Sequence, residues 1–326
     1  MKKTFKFGLG VLILGVILAL IGVLSGQNLG VVFKDMRPVL YSDYKKKSYH
    51  AYRQNLDATA IKSMTLDLKN TDLTIKRGAK LALRYHSWGS KPDVNIINGN
   101  LNIKQSGEDR FVDKLLVFSF GDWENRNKAA NKLELTIPEN FSLDDVRLVL
   151  DSGYYNTNVM LDGFKAKNIT LIGSSYALKI ANSSFDQFNL DLSGTNITVA
   201  NSILLSGRIT ADANLLVNSS TLKDVAVVGN NDIQYSNVSL DSGSLISDSS
   251  NIKMSNSSIA NGYQITNTTG TTTVLNTTVD GYWLIGGAKS ASLNLFGKTG
   301  QGELTQNQTT PNCLKITTQE GRINVK

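Results

Sequence analysis

The sequence predicts an all-β protein: a single-stranded β-solenoid, resembling a β-helix, built from stacked coils of about nineteen residues and preceded by an N-terminal transmembrane helix. Three observations carry this expectation. Asparagine-containing polar clusters recur at Asn182, Asn201, Asn218, Asn237, Asn256 and Asn276, spaced 19, 17, 19, 19 and 20 positions apart. Short runs of alternating apolar residues fill the intervals, the signature of half-buried strands. Beyond the first thirty residues no stretch of helical length shows a 3.6-residue apolar period.

The amino-terminal element is read first. Met1-Lys2-Lys3-Thr4-Phe5-Lys6 is followed by an uncharged run from Phe7 to Leu24, long enough to span roughly 27 Å as a helix. That exceeds the apolar core of about 7–15 residues in a cleaved signal, and Leu24-Ser25-Gly26-Gln27 lacks a small-x-small exit. Residues 7–26 therefore read as an uncleaved anchor and residues 1–6 as a cytoplasmic tail. The amino-terminal lysines orient the tail inside the cell and the remaining chain outside.

Charge sharpens this division. The chain carries a formal net charge of +7, and residues 1–56 hold nine Lys/Arg against Asp35 and Asp43, which is 9 − 2 = +7. The remainder holds 25 Lys/Arg and 25 Asp/Glu, a balance of zero. A nucleic-acid-binding domain would need a basic patch on its fold, so that partner is excluded from the expectations. Residues 27–60 read as a basic juxtamembrane linker. Its Lys45-Lys46-Lys47 run could lie against anionic lipid or an anionic wall polymer, or act only as a solvated tether.

Residues 61–142 form an N-terminal β region, in which Ile61–Leu68, Leu73–Ile75, Leu81–Tyr85, Val94–Ile97, Leu101–Ile103 and Leu133–Ile137 alternate between turn-forming groups. The stretch 110–132, with Trp123 among charged residues, reads as a surface excursion. Residues 143–326 are the repeats, closed by a C-terminal cap at Leu314–Thr318 and Gly321–Val325. Between 181 and 280, 43 of 100 residues are Ser, Thr or Asn. A glycosylated stalk of that composition would be rich in proline, yet none occurs between Pro138 and Pro311. The asparagines suit corners, because Asn tolerates the left-handed backbone region, and stacked amides could form a ladder. Asn-x-Ser/Thr sequences at Asn182, Asn218, Asn237, Asn256 and Asn276 are explained by the same corners.

Segments 63–78 (SMTLDLKNTDLTIKRG), 132–153 (KLELTIPENFSLDDVRLVLDSG) and 313–325 (CLKITTQEGRINV) make the chain resemble the bacterial putative-adhesin family of β-strand-repeat proteins. Many members are membrane-anchored proteins of Gram-positive envelopes. The resemblance implies a cell-surface, membrane-anchored adhesin or binding scaffold, with a glycan or protein ligand on the solenoid. It supplies no catalytic residues. The alternative is an envelope-stress accessory protein. A polysaccharide-active enzyme would need paired carboxylates; Asp151, Asp191, Asp241 and Asp280 are the candidates, with Arg208, Lys223 and Lys253 as nearby bases. Asp is also an ordinary turn residue, so the expectation is no enzyme. No catalytic, cofactor-binding or metal site is assigned and no cofactor is expected: the single Cys313, with His50 and His86 outside the repeats, offers no zinc set.

Overall fold

A computed structural model describes residues 31–34, 37–40, 49–88, 92–105, 131–153, 156–287 and 290–326, together with four helical positions at 8, 13, 15 and 16. Most of the 7–26 segment, Lys45-Lys46-Lys47 and the Trp123 excursion lie outside the described residues. No helix among the described residues is long and apolar enough to cross a membrane.

Two long sheets face each other. In spatial order the first runs Asp93–Ile97, Asn100–Lys104, Ser63–Lys69, Leu143–Asp151, Lys165–Ser174, Ser184–Ser193, Ile203–Ala211, Thr221–Gly229, Ser239–Ser247, Tyr263–Asn267, Cys313–Thr318, Gly281–Gly286 and Glu303–Gln306. The second runs Tyr49–Asn55, Ala82–Trp88, Asn131–Ile137, Thr71–Arg77, Asn158–Asp162, Ala177–Ala181, Asn196–Ala200, Leu215–Asn218, Ile233–Ser236, Ile252–Ser255, Thr271–Leu275, Arg322–Val325, Ser292–Leu295 and Lys298–Gly300. One strand from each sheet makes a coil, and successive coils pair in parallel, for instance Leu148↔Leu171 and Leu161↔Ile180. Fourteen strands at a spacing of about 4.8 Å give a rod roughly 60 Å long.

The core is a set of in-register columns. Leu66, Leu148, Leu171, Leu190, Ile209, Val227, Leu245, Ile265, Ile316 and Leu284 stack along the first sheet, each fully buried. Ile75, Leu161, Ile180, Val199, Val217, Tyr235, Met254, Val274 and Val325 face them from the second. Each such side chain removed from water contributes about 1.5–3 kcal/mol. The alternation seen in the sequence is thus the inward half of each rung.

The longer strand of a coil bends once. Lys167-Asn168, Asp186-Gln187 and Lys223-Asp224 are consecutive exposed pairs, where strict alternation would bury one of the two. Pairing skips a position within each, with Ala166↔Phe185 followed by Asn168↔Gln187 and Lys223↔Asp241 followed by Val225↔Gly243. In the coil at 258–267 the bend divides the strand into Ser258–Ala260 and Tyr263–Asn267. Gly173 answers a related demand further along: its φ is +119°, and a Cβ there would stand 1.8 Å from the Leu150 carbonyl oxygen.

Three expectations are revised. The linker read over 27–60 ends earlier than its charge suggested, because Tyr49–Asn55 pairs antiparallel with Ala82–Trp88 and Tyr52 packs on the core. Residues 61–142 are not a separate region: Ser63–Lys69 and Thr71–Arg77 pair in parallel with the first repeat and form a coil of the same rod. The closing segment is neither a hairpin nor the last coil. Cys313–Thr318 and Arg322–Val325 lie in opposite sheets, between the coil at 263–275 and the coil at 281–295. Similar apolar patterns make neighbouring rungs interchangeable in sequence, so the pattern identifies coils without ordering them. Antiparallel strands end the rod at both extremities, Tyr49–Asn55 and Asp93–Ile97 at one, Lys298–Gly300 and Glu303–Gln306 at the other. Open edges of parallel sheet would otherwise template further pairing.

Candidate binding surface

The recurrent polar cluster forms the corner between the short strand and the next long one. Gly163, Asn182, Asn201, Ser219, Asn237, Asn256 and Asn276 each adopt positive φ, between 47° and 66°. Short polar side chains bonding locally, or no side chain at all, make that region accessible. The fourth corner is set one residue beyond the sequence reading: Asn218 ends its strand and Ser219 takes the turn, so the spacings are 19, 19, 18, 18, 19 and 20. Each turn residue donates its N–H to the adjacent coil, as in Asn182 to Ala200 O at 3.0 Å and Asn237 to Ser255 O at 3.0 Å.

The ladder holding these corners is made of serine rather than the expected asparagine. Ser183, Ser202, Ser220 and Ser257, each following a turn residue, are buried. Each hydroxyl donates to the carbonyl two residues back, at 2.7–2.9 Å, and three of these bonds are Ser202 to Ala200, Ser220 to Asn218 and Ser257 to Ser255. Each also accepts a backbone N–H from the preceding coil: Phe164 to Ser183, Ser183 to Ser202, Ser202 to Ser220 and Val238 to Ser257, at 3.0–3.2 Å. Val238 occupies the same position and interrupts the series. The asparagine side chains point outward; their one amide-to-amide bond along this edge joins Asn276 Nδ2 to Asn256 Oδ1 at 3.4 Å.

That outward line borders a shallow groove lined by Asn237, Val238, Ser239, Asn256, Ser257, Ser258, Asn276 and Thr278. No lining residue is charged. The groove offers amide and hydroxyl donors and acceptors repeated once per coil, which suits hydrogen bonding to an uncharged polar polymer better than electrostatic capture.

Residues 61–326 match one family, the Toastrack DUF4097 domain. The protein belongs to that family. None of the curated proteins matches it. Among solved structures, a putative cell adhesion protein from Clostridium sporogenes is 14% identical, with 85% of this chain and 99% of that chain covered and a TM-score of 0.22. A putative adhesin from Bacteroides fragilis is 10% identical, with 86% and 98% covered and a TM-score of 0.36.

In this Toastrack domain the four candidate carboxylates do not converge. Asp151 is paired in register with Lys69, Asp191 with Ile172 and Thr210, and Asp241 with Lys223 and Ala260. They lie at least two strand spacings apart, roughly 10 Å along the rod. One of them serves the backbone: the Asp151 carboxylate accepts from Gly153 N–H at 3.0 Å. Asp241 accepts from Asn261 Nδ2 at 2.7 Å and faces Lys223 Nζ at 3.4 Å; the amide hydrogen bond first, then the lysine, hold its carboxyl below the ordinary range. Of the nearby bases, Lys223 is committed to this pair, while Arg208 and Lys253 stand exposed on different sheets. Among the described residues no group of three His, Cys, Asp or Glu side chains is placed to hold a metal ion.

The far end of the rod is aromatic. Lys315 Nζ lies 4.4 Å from the Trp283 ring centroid, and Tyr282 meets Phe296 edge-on at 5.3 Å, with Phe296 half exposed. This cluster was not legible in the sequence, because Lys315 and Trp283 become neighbours only through the inserted coil.

Proposed function

We propose that this protein is a membrane-anchored surface scaffold that binds an extended, uncharged polyhydroxylated polymer along its asparagine-lined corner. The observation that carries the reading is the charge-free Asn/Ser/Thr groove repeated at coil spacing. The lysines ahead of an uncharged eighteen-residue run support anchorage with the amino terminus inside the cell. Tyr49–Asn55, the strand of the rod nearest in sequence to that run, closes one end of it. The opposite end, with Trp283 and Phe296, then stands farthest from the bilayer. Lys45, Lys46 and Lys47 contact anionic lipid or wall polymer beside the anchor.

The test is binding of the full chain in lipid nanodiscs to soluble neutral oligosaccharides and to a polyanionic wall polymer. Neutral oligosaccharide binding is expected to persist at high salt and to weaken at least tenfold when Asn237, Asn256 and Asn276 are all replaced by glycine. Glycine keeps the positive φ of each corner while removing the amide. Unchanged binding by that variant, or binding only to the polyanion, refutes the reading.

A further inference from the structure

The coil at 281–295 stands one rung out of sequence, and the place where the chain departs is visible. From 143 to 275 each coil stacks on the one before it. Residues 277–279 begin the next coil in the same way: Ser258 bridges Thr278, and Thr278 N–H donates to Ser257 O at 2.8 Å. At Gly281 the chain then steps outward by one strand. Tyr263 pairs with Leu314 instead of Tyr282, and Leu314 in turn pairs with Tyr282. The space so opened is filled on both sheets by 313–326, whose Leu314, Ile316, Ile323 and Val325 are fully buried. Had the insert been absent, Gly281–Gly286 would meet Tyr263–Asn267 in the register that the rest of the rod uses.

We infer that this slot is a strand-exchange site: it accepts 313–326 from its own chain or from a second copy, the latter joining two rods at their ends. Both walls of the slot come from one continuous stretch, 258–295, so no residue of the insert is needed to supply them. Recognition is main-chain pairing on both sides of both inserted strands, reinforced at the corner, where Asn276 N–H donates to Lys326 O and Phe296 N–H to Val325 O. The tether between wall and insert, Asn307 to Asn312, is an exposed to half-exposed turn. Nothing in the contacts of the insert requires that its tether belong to the same molecule.

Two experiments on the full chain test this. In the first, a site-specific protease sequence replaces Gln308–Pro311, the folded protein is cut there, and a fluorescent peptide of residues 313–326 is added. The peptide is expected to replace the cut segment one for one and to co-elute with the rod. A peptide carrying I316D and I323D is expected to bind at least a hundredfold more weakly. In the second, deletion of Asn307–Pro311 leaves one residue, at most about 7 Å of chain, to cross the two strand spacings of about 10 Å between Gln306 and Cys313, so the insert no longer reaches its own slot, and light scattering is expected to show dimers. Loss of the cut segment without uptake of the peptide, general unfolding on cutting, or a deletion variant that remains monomeric each overturns the inference.

Discussion

Replacing Ser202 with alanine tests the corner ladder at its most enclosed point. Ser202 is 1% exposed; its hydroxyl donates to Ala200 O at 2.8 Å and accepts the Ser183 N–H at 3.1 Å. After S202A the Ala200 carbonyl keeps the Asn182 N–H at 3.0 Å, so the acceptor stays satisfied. The Ser183 N–H loses the hydroxyl it donates to, inside a corner closed by neighbouring coils. An orphaned buried donor costs about 1–3 kcal/mol, and the loss should fall in that range because the vacated space is smaller than a water molecule. The chain holds its own converse: Val238 presents no hydroxyl to Ser220, one coil back. V238T should add an acceptor there and a donor to Ser236 O, stabilising by about 0.5–1.5 kcal/mol. Thr277 shows that the corner accommodates threonine, its hydroxyl bonding Leu275 O at 3.2 Å. Equilibrium urea unfolding of both variants, compared at constant m, reads these changes. A shift below about 0.5 kcal/mol for S202A together with destabilisation by V238T would show that the serine ladder does not hold the corners.

Further outcomes follow from the same geometry. The Tyr235 and Tyr263 hydroxyls meet at 3.4 Å in the core, and burial raises both phenol pKa values. Their contribution to stability is present below the ordinary phenol value of about 10 and is lost as pH rises above it, so the Y235F/Y263F variant should hold its circular dichroism to higher pH than the parent. If parent and variant unfold at the same alkaline pH, the pair is not the trigger. G173A should cost about 3 kcal/mol or more, combining a φ essentially reserved for glycine with a clash against Leu150 O, and thermal unfolding would reveal it. At the surface, Lys167 Nζ bonds Asp144 at 2.6 Å and lowers its carboxyl pKa. That contribution is present above the ordinary carboxylate value of about 3.9 and disappears as pH falls below it. The small stability gap between parent and D144N should therefore close in acid; a gap that persists at pH 2 would contradict the assignment.

Much of the fold was legible from residue pattern because a solenoid repeats one local problem. Leu148, Leu171 and Leu190 alternate with exposed neighbours, and the near-nineteen-residue return of Asn182, Asn201 and Asn237 locates the corners. The candidate surface was only partly legible. Its outward asparagines were visible, whereas the serines that hold them were hidden, because serine looks alike whether it faces solvent or accepts a buried N–H. Ser219 shows the same ambiguity: it takes the left-handed turn beside an Asn that composition favours for it.

The sequence by itself determined the strand class, the near-nineteen-residue return of the corners from 182 to 276, the neutrality of residues 57–326 and the concentration of basic charge before residue 57. Those properties depend on side-chain period and formal charge, which need no partner to be read. Tertiary structure alone decided that Ser63–Arg77 is a coil of the main stack, that the long strands bend once, and that 313–326 lies inside the rod rather than at its end. Which rung pairs with which is a choice among surfaces of nearly equal hydrophobicity. The deciding contacts, at Thr278 and Gly281 where the slot opens and at Lys326 where it is closed, join residues that no local pattern connects.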